Sequence, residues 1–263
     1  MTEIVNLLRE YSPICLKEMG NVKLMDRTDT KFIFHTEKLP GLLEKAKKIY
    51  RVLNIDNKMI LNYRSLYFDT NEFFMYHSHH NGKQNRYKVR LREYVDTKKS
   101  YLEVKFKSNK GRTRKTRTKK KNIQTSLSDK SKKFIQEIIP IDADKLIPKL
   151  WINFSRITLV HKNKNERLTI DLNLKYNNVD NNNPFEFSFL TIVEAKREKF
   201  SGPSDFINLL KDEKLHPTSF SKYCIGTILL NRYLKYNRFK EKLLTLKKIN
   251  YDNGIFDFFN RSG

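Results

Sequence analysis

Arg86, Lys88, Arg90 and Arg92 alternate with Tyr87, Val89 and Leu91. Side chains of an extended strand point to opposite faces in turn, so the four cations share one face and the apolar residues the other. Like charges two residues apart on a strand lie about 6–7 Å from each other, and at an effective dielectric near 20 each neighbouring pair repels by about 2–3 kcal/mol. Such a face requires either open water or a multiply charged anion in front of it. The planar donor fork of arginine suits phosphate oxygens, so the chemistry this spacing favours is the holding of phosphate groups.

The same alternation recurs. Glu103, Lys105 and Lys107 oppose Leu102, Val104 and Phe106, and Arg156 and Thr158 oppose Ile157 and Leu159. Arg167, Thr169, Asp171 and Asn173 oppose Leu168, Ile170, Leu172 and Leu174. Glu194 and Lys196 lie on the polar side of Ile192–Arg197, and Arg27, Asp29 and Lys31 alternate with Thr28, Thr30 and Phe32. Alternation alone also describes an ordinary antiparallel sheet with one wet face. The excess of Arg and Lys over other polar residues on these faces favours a shared anion-binding interior. If helices cover the apolar sides, the fold is α+β: a closed antiparallel β-barrel with a charged interior, covered by helices. Self-repulsion would destabilise the empty interior, so Arg90→Ala or Arg156→Ala is expected to leave the fold intact or steadier.

The chain of 263 residues carries 53 Lys+Arg against 29 Asp+Glu, a formal net charge of +24, which implies an acidic partner. Nucleic acid is not expected: no helix-turn-helix, zinc-finger or RNA-binding signature is found, and Tyr and Phe fall mainly on apolar sides. Hydrophobic residues make up 38%, enough for a core. No apolar run has the length of a membrane span, and the first residues show no signal-peptide pattern. Cys15 and Cys224 are too few for a disulfide framework or a cysteine metal site. A cytoplasmic location is expected, with a peripheral position at a membrane as the variant.

Single-domain organisation is expected over residues 1–236, with a polar tail over 237–263 that carries an aromatic patch at Ile255, Phe256, Phe258 and Phe259. Helices are expected at residues 3–20, interrupted near Pro13, and at Glu37–Leu53, Asp129–Leu150 in two pieces, Ser201–Lys211 and Phe220–Tyr236. Tyr63–Asp69 and Phe185–Phe189 read as short strands, Asn177–Pro184 as a loop, and Asn81-Gly82 as a hairpin turn. Lys115, Arg117, Lys119, Lys120 and Lys121 read as a solvated basic loop, and His77, His79 and His80 as loop residues without metal-site partners.

An ordered series of stretches resembles a known family: Asp26–Phe32, Tyr63–Asp69, Lys88–Tyr94, Glu103–Lys107, Phe154–Arg156, Arg167–Asp171, Val193–Lys196 and Ser219–Tyr223. Together they are similar to the polyphosphate polymerase (VTC, vacuolar transporter chaperone) domain of the triphosphate tunnel metalloenzymes. The resemblance implies a tunnel whose cations hold ATP and inorganic polyphosphate, with Mn²⁺ or Mg²⁺ on an acidic residue of a late strand.

By that resemblance Arg90, Arg92, Lys105, Arg156 and Arg167 act on the transferring phosphoryl group, and Glu194 takes the metal. Lys31, Lys196 and Lys222 bind phosphate, and Arg64, Lys88 and Lys107 extend the lining. Hydrolytic relatives carry Glu-x-Glu-x-Lys on the first strand, where this chain has Arg27, Asp29 and Lys31; the exchange of an acid for a cation resembles the polymerase branch. Expected function is metal-dependent transfer of the terminal phosphoryl group of ATP to a polyphosphate chain that threads out through the far mouth. The alternatives are a metal-dependent tri- or polyphosphatase on the same barrel, or a non-catalytic polyphosphate-binding module. The regulatory and membrane-spanning domains of the fungal polymerases are not seen, so control or export would need a separate membrane partner. Unaided by the resemblance, Glu194 reads first as a partner of Lys196 or of a cross-strand arginine and Glu103 as a partner of lysines rather than a metal ligand, while Asp171 reads as a second metal ligand or a structural ion pair.

Overall fold

Strand-forming residues dominate the chain between residues 27 and 198, and they assemble into a single mixed-length sheet. The computed structural model describes residues 1–19, 27–179, 184–199 and 202–250. In chain order the elements are α1 (Thr2–Arg9), β1 (Pro13–Ile14), α2 (Leu16–Met19), β2 (Arg27–His35), α3 (Leu39–Ala46), β3 (Tyr50–Leu53), β4 (Ile60–Asp69), α4 (Phe74–His80), β5 (Arg86–Tyr94), β6 (Lys99–Lys107) and β7 (Thr113–Lys120). They continue with α5 (Asp129–Gln136), β8 (Ile147–His161), β9 (Glu166–Asn178), β10 (Phe185–Phe187), β11 (Leu190–Glu198), α6 (Asp205–Asp212), α7 (Lys222–Leu230) and α8 (Lys240–Ile249).

The main path of the sheet runs β2-β11-β9-β8-β4-β5-β6-β7. Its pairs are antiparallel, and the short β1 adds a parallel pair with β3. Among the described residues β2 and β7 are the ends of this path and do not pair with each other. The sheet is nonetheless curled. Flat strands at about 4.8 Å spacing would set β6 about 24 Å from β11, yet Lys105 on β6 feels the charges of Glu194 on β11 and Lys31 on β2.

Helices cover the convex side in two layers. α1, α3 and α6 bury Phe32, Phe34, Val193, Leu168, Ile170 and Leu159. The layer of α5 buries Leu66, Val89, Leu91, Leu102 and Val104 through Ile135 and Ile139. These are the apolar sides of the alternating strands, as their period requires.

A third cluster lies on the concave side. Leu150, Ile152, Leu174, Tyr176 and Ile192 pack there against Ile225, Ile228 and Leu229 of α7. α7 carries apolar residues all round and is buried from Tyr223 to Leu229, the pattern of a helix inside a core rather than on it. Gly226 permits this seat: a Cβ there would overlap the Tyr176 ring and lie 2.8 Å from Leu150 Cδ1. One end of the concave space is therefore filled, and charge occupies the remainder.

Several expected elements differ. The helix expected over Glu37–Leu53 stops at Ala46, and the β-branched and aromatic run Tyr50–Leu53 joins the sheet as β3. Asp129–Leu150 yields one α-helix, and Ile147–Leu150 already belongs to the 15-residue β8. Pro148 is accommodated there at a register shift opposite Phe68.

Asn81-Gly82 ends a helix instead of turning a hairpin. Gly82 has φ +73°, and the bonds Gly82 N–H to His79 O and Lys83 N–H to Ser78 O close the last turn of α4. His77, His79 and His80 thus lie on a helix. Its start is held by the buried Asp69 carboxylate, which accepts from the backbone of Thr70, Met75 and Tyr76. The basic run is the strand β7, not a loop. After residue 236, α8 packs Leu243 and Leu246 onto the core; the patch at Ile255–Phe259 lies outside the described residues. No described helix is long and apolar enough to cross a membrane.

Candidate functional site

Register places the cations together. Lys88 faces Lys105, Arg90 faces Glu103, and Glu103 and Lys105 face Arg117 and Lys115. On the other arm Arg156 faces Asp171, Lys196 faces Arg167, and Glu194 faces Lys31. Lys222 joins them from the first turn of α7. Lys31, Lys88, Arg90, Arg92, Lys105, Lys115, Arg156, Arg167, Lys196 and Lys222 are thereby gathered on one face, with Asp29, Glu103, Asp171 and Glu194 among them.

Three of those carboxylates organise the cations. Glu103, 1% exposed, accepts from Arg90 Nε and Nη2 at 2.9 and 2.6 Å and pairs with Lys115 at 3.1 Å. Burial alone would raise its pKa, but Arg90, Arg92 and Lys115 outweigh burial and hold it at about 2. Asp171, 3% exposed, grips Arg156 at 2.6 and 2.9 Å in a two-pronged pair and also binds Lys222. Burial opposes its charge as well, and Arg156 and Lys222 bring its pKa below the ordinary carboxylate range. Glu194 is held by Lys31 at 3.0 Å and by Lys196.

Aromatic rings back the guanidinium groups. Arg92 and Arg156 lie over both Tyr63 and Phe154, at 5.1–5.8 Å from the ring centres, and these two rings stack on each other. Lys222 lies 4.9 Å from Phe154. Arg90 also donates to the Tyr67 hydroxyl at 2.7 Å. Arg92 donates to Ser65 Oγ at 3.3 Å, so its charge meets a neutral partner. Burial first, then Arg90, depresses its pKa.

The lysines show the same crowding. Burial is the largest cause bringing Lys105 and Lys196 down to about 8; Lys88 adds to it for Lys105, and Arg156 for Lys196. Lys105 is nevertheless reached by water in the concavity. Lys88 donates to Ser221 Oγ at 2.9 Å, the residue that caps the start of α7. The N-terminal turn of α7 thereby forms the floor of the charged space.

Of the residues read from sequence, Lys31, Lys88, Arg90, Arg92, Lys105, Arg156, Arg167, Lys196, Lys222 and Glu194 share this face. Lys107 shares it too but is exposed toward His79 on α4, outside the ion-pair network. Arg64 does not: it is exposed on the convex side, over the Trp151 ring at 4.0 Å. Sequence reading placed Lys115 in a loop, and it passed over Tyr63, Ser65 and Tyr67. Alternation alone could not assign them, since the cation of their strand, Arg64, lies on the other side.

Among the described residues no group of three or more His, Cys, Asp or Glu side chains is gathered to hold a metal. One carboxylate, Glu194, stands at the centre of the basic face. Mg²⁺ and Mn²⁺ are hard ions commonly held by one or two carboxylates while substrate phosphates and water complete the oxygen shell. The donor set fits a metal that arrives with a phosphate ligand.

Residues 26–231 match the family described as the VTC domain. Among solved structures, a candidate adenylate cyclase of Bacillus halodurans is 15% identical, with 75% of this chain and 96% of that chain covered and a TM-score of 0.45. A candidate adenylyl cyclase of Hippeastrum, described as having a dominant triphosphatase activity, is 14% identical, with 77% and 95% covered and a TM-score of 0.49. No curated protein matches.

Proposed function

The chain belongs to the VTC domain family, and on that premise we propose that it is a polyphosphate polymerase, extending inorganic polyphosphate with the terminal phosphoryl group of ATP. The observation that carries the reading is the excess of cations over carboxylates on one curled face. A single phosphate does not balance that charge; a triphosphate with a polyphosphate end does. On this reading the curled sheet wraps its ligand as a tunnel wall.

Phosphoryl transfer requires charge neutralisation and in-line placement more than a covalent group from the protein. The terminal oxygen of the polyphosphate chain attacks the γ-phosphorus of ATP. The bond from that phosphorus to the β,γ-bridging oxygen breaks, ADP leaves with the electron pair, and the chain gains one phosphate. Phosphate oxygens are already anionic, so no strong general base is needed. Arg90 and Arg156, each oriented by a buried carboxylate, present fixed positive charge to the space without reorganisation. Arg92, Lys105, Arg167 and Lys196 neutralise the equatorial oxygens, and Lys31, Lys88 and Lys222 hold the flanking phosphates. Glu194 is the residue that would hold Mn²⁺ or Mg²⁺, which supplies Lewis-acid polarisation of phosphate oxygens when bound.

Purified protein incubated with ATP and Mn²⁺ tests this reading. Polymer growing in step with ADP, resolved on a gel, is the expected result, and Glu194→Gln should remove its metal dependence. Release of inorganic phosphate without polymer would replace synthesis with hydrolysis. Tight polyphosphate binding with no turnover would leave a binding module.

A further inference from the structure

Arg64 fails to join the basic face, and its actual surroundings form a built site. Along the convex side of β4, the layer of α1, α3 and α6 reaches Ile60 and the α5 layer begins at Leu66. Asn62 and Arg64 lie exposed between them. In this uncovered strip Arg64, Asn153, Lys175 and Glu186 stand directly opposite one another across β4, β8, β9 and β10. The ladder between β8 and β9 shifts register there, between Asn153 and Ser155, and Asn173 adopts φ +51°. Such a bulge inserts backbone and opens the surface. The result is a cavity of about 460 Å³, lined by Arg64, Asn153, Ser155, Asn173, Lys175 and Glu186 among others.

Two groups in it lack a partner. The Asn153 Oδ1 atom is buried with no hydrogen bond, a state that costs about 1–3 kcal/mol unless a donor arrives. The Arg64 guanidinium carbon lies over the Trp151 ring, 4.0 Å from its centre, and the group makes no hydrogen bond or ion pair with a described residue, although Glu93 stands opposite it on β5. Stacking uses the face of the guanidinium and leaves its N–H edge free. Lys175 is already neutralised by Glu186 at 2.7 Å. The wall thus offers one free cationic fork, one buried acceptor, and several amide and hydroxyl groups.

We propose that this cavity binds a small phosphorylated sugar or polyol: one anionic group on Arg64, and hydroxyls that donate to Asn153 and exchange hydrogen bonds with Ser155 and Asn173. A cavity of this size accepts such a molecule, and it lies on the opposite side of the sheet from the basic face. The site does not depend on the polymerase reading.

Trp151 is the single tryptophan of the chain, so engagement of Arg64 reports directly on its fluorescence. Glucose 6-phosphate, glucose and inorganic phosphate should each be titrated with saturating tripolyphosphate present to keep the basic face occupied, with calorimetry as a second readout. Expected is a saturable change in emission with glucose 6-phosphate, and at least ten-fold weaker binding of glucose and of phosphate. Arg64→Gln should abolish calorimetric binding and Asn153→Leu weaken it at least ten-fold, while tripolyphosphate still raises the melting temperature of both. No saturable signal at about 10 mM, which corresponds to a Kd weaker than any useful affinity, would overturn the proposal. So would equal binding of glucose alone, or binding that survives Arg64→Gln.

Discussion

Arg90 and Arg92 sit two residues apart on one strand and face, yet their replacement should affect stability very unequally. Arg90→Met strands Glu103, which is 1% exposed, with Lys115 as its remaining partner at 3.1 Å. Removing one member of a buried ion pair costs about 3–5 kcal/mol, and the retained lysine points to the lower end. Arg92→Met leaves no carboxylate behind, because its hydrogen bond goes to Ser65. It forfeits about 0.5–1 kcal/mol of cation–π attraction and about 1 kcal/mol of hydrogen bonding. Against that, it removes repulsion from Arg90 and Arg156 of about 2 kcal/mol each, for separations near 7 Å and an effective dielectric near 20. Lost attraction to Glu103, about 2 kcal/mol by the same reckoning, offsets one of those repulsions, so the net change is close to zero. At about 2–4 °C per kcal/mol for a chain of this size, Arg90→Met should melt about 6–12 °C lower than the unaltered protein and Arg92→Met within about 2 °C of it. Scanning calorimetry in phosphate-free buffer measures both, and tripolyphosphate titration should find both binding more weakly. Equal shifts in the two variants, or a stabilised Arg90→Met, would refute the division of labour between paired and unpaired guanidiniums.

Lys105 and Lys196 carry folded-state pKa values near 8 against an ordinary 10.5. Between those values the unfolded chain binds more protons, so the unliganded protein should gain stability from about pH 8 to about pH 10, the penalty being complete below that window. A urea midpoint that stays level or falls over the same range would contradict this, and tripolyphosphate, which keeps both lysines charged, should flatten the rise. Gly226→Ala should cost about 2 kcal/mol, overpacking against Tyr176 and Leu150 outweighing the better helix propensity of alanine; an unchanged melting temperature would mean that α7 is seated more loosely.

Period-two patterning made the charged strands legible, because Arg86–Arg92, Glu103–Lys107, Arg167–Leu174 and Ile192–Arg197 each declare two unlike faces. It failed on β4, where the side facing the cations carries Tyr63, Ser65 and Tyr67 and the exposed side carries Asn62 and Arg64. There the usual sense of polar and apolar is inverted, and residue type misleads. Asn81-Gly82 shows another kind of ambiguity: a left-handed glycine closes a helix as well as it turns a hairpin, and the decision lay with Asp69 anchoring α4 from a distance. The expectation that Arg90→Ala or Arg156→Ala would leave the fold intact or steadier treated the cations as a bare cluster. Cross-strand register, which one sequence does not display, put Glu103 beneath Arg90 and Asp171 beneath Arg156 and reverses the sign. Phe220–Tyr236 reads as a helix among those covering the outside of the strands; that α7 lies inside the curl of the sheet was not legible from its sequence.

That helix has a consequence for traffic. With Ile225, Ile228 and Leu229 packed among Leu150, Ile152 and Tyr176, α7 takes up one end of the concave space, and on the polymerase reading a phosphate chain would not leave through that end. A strand of phosphates lengthened against such a backstop must retreat the way it came or slip sideways between the unjoined margins at β2 and β7. Nucleotide and polymer would then contend for shared doorways, and crowding by finished product would slow each new arrival.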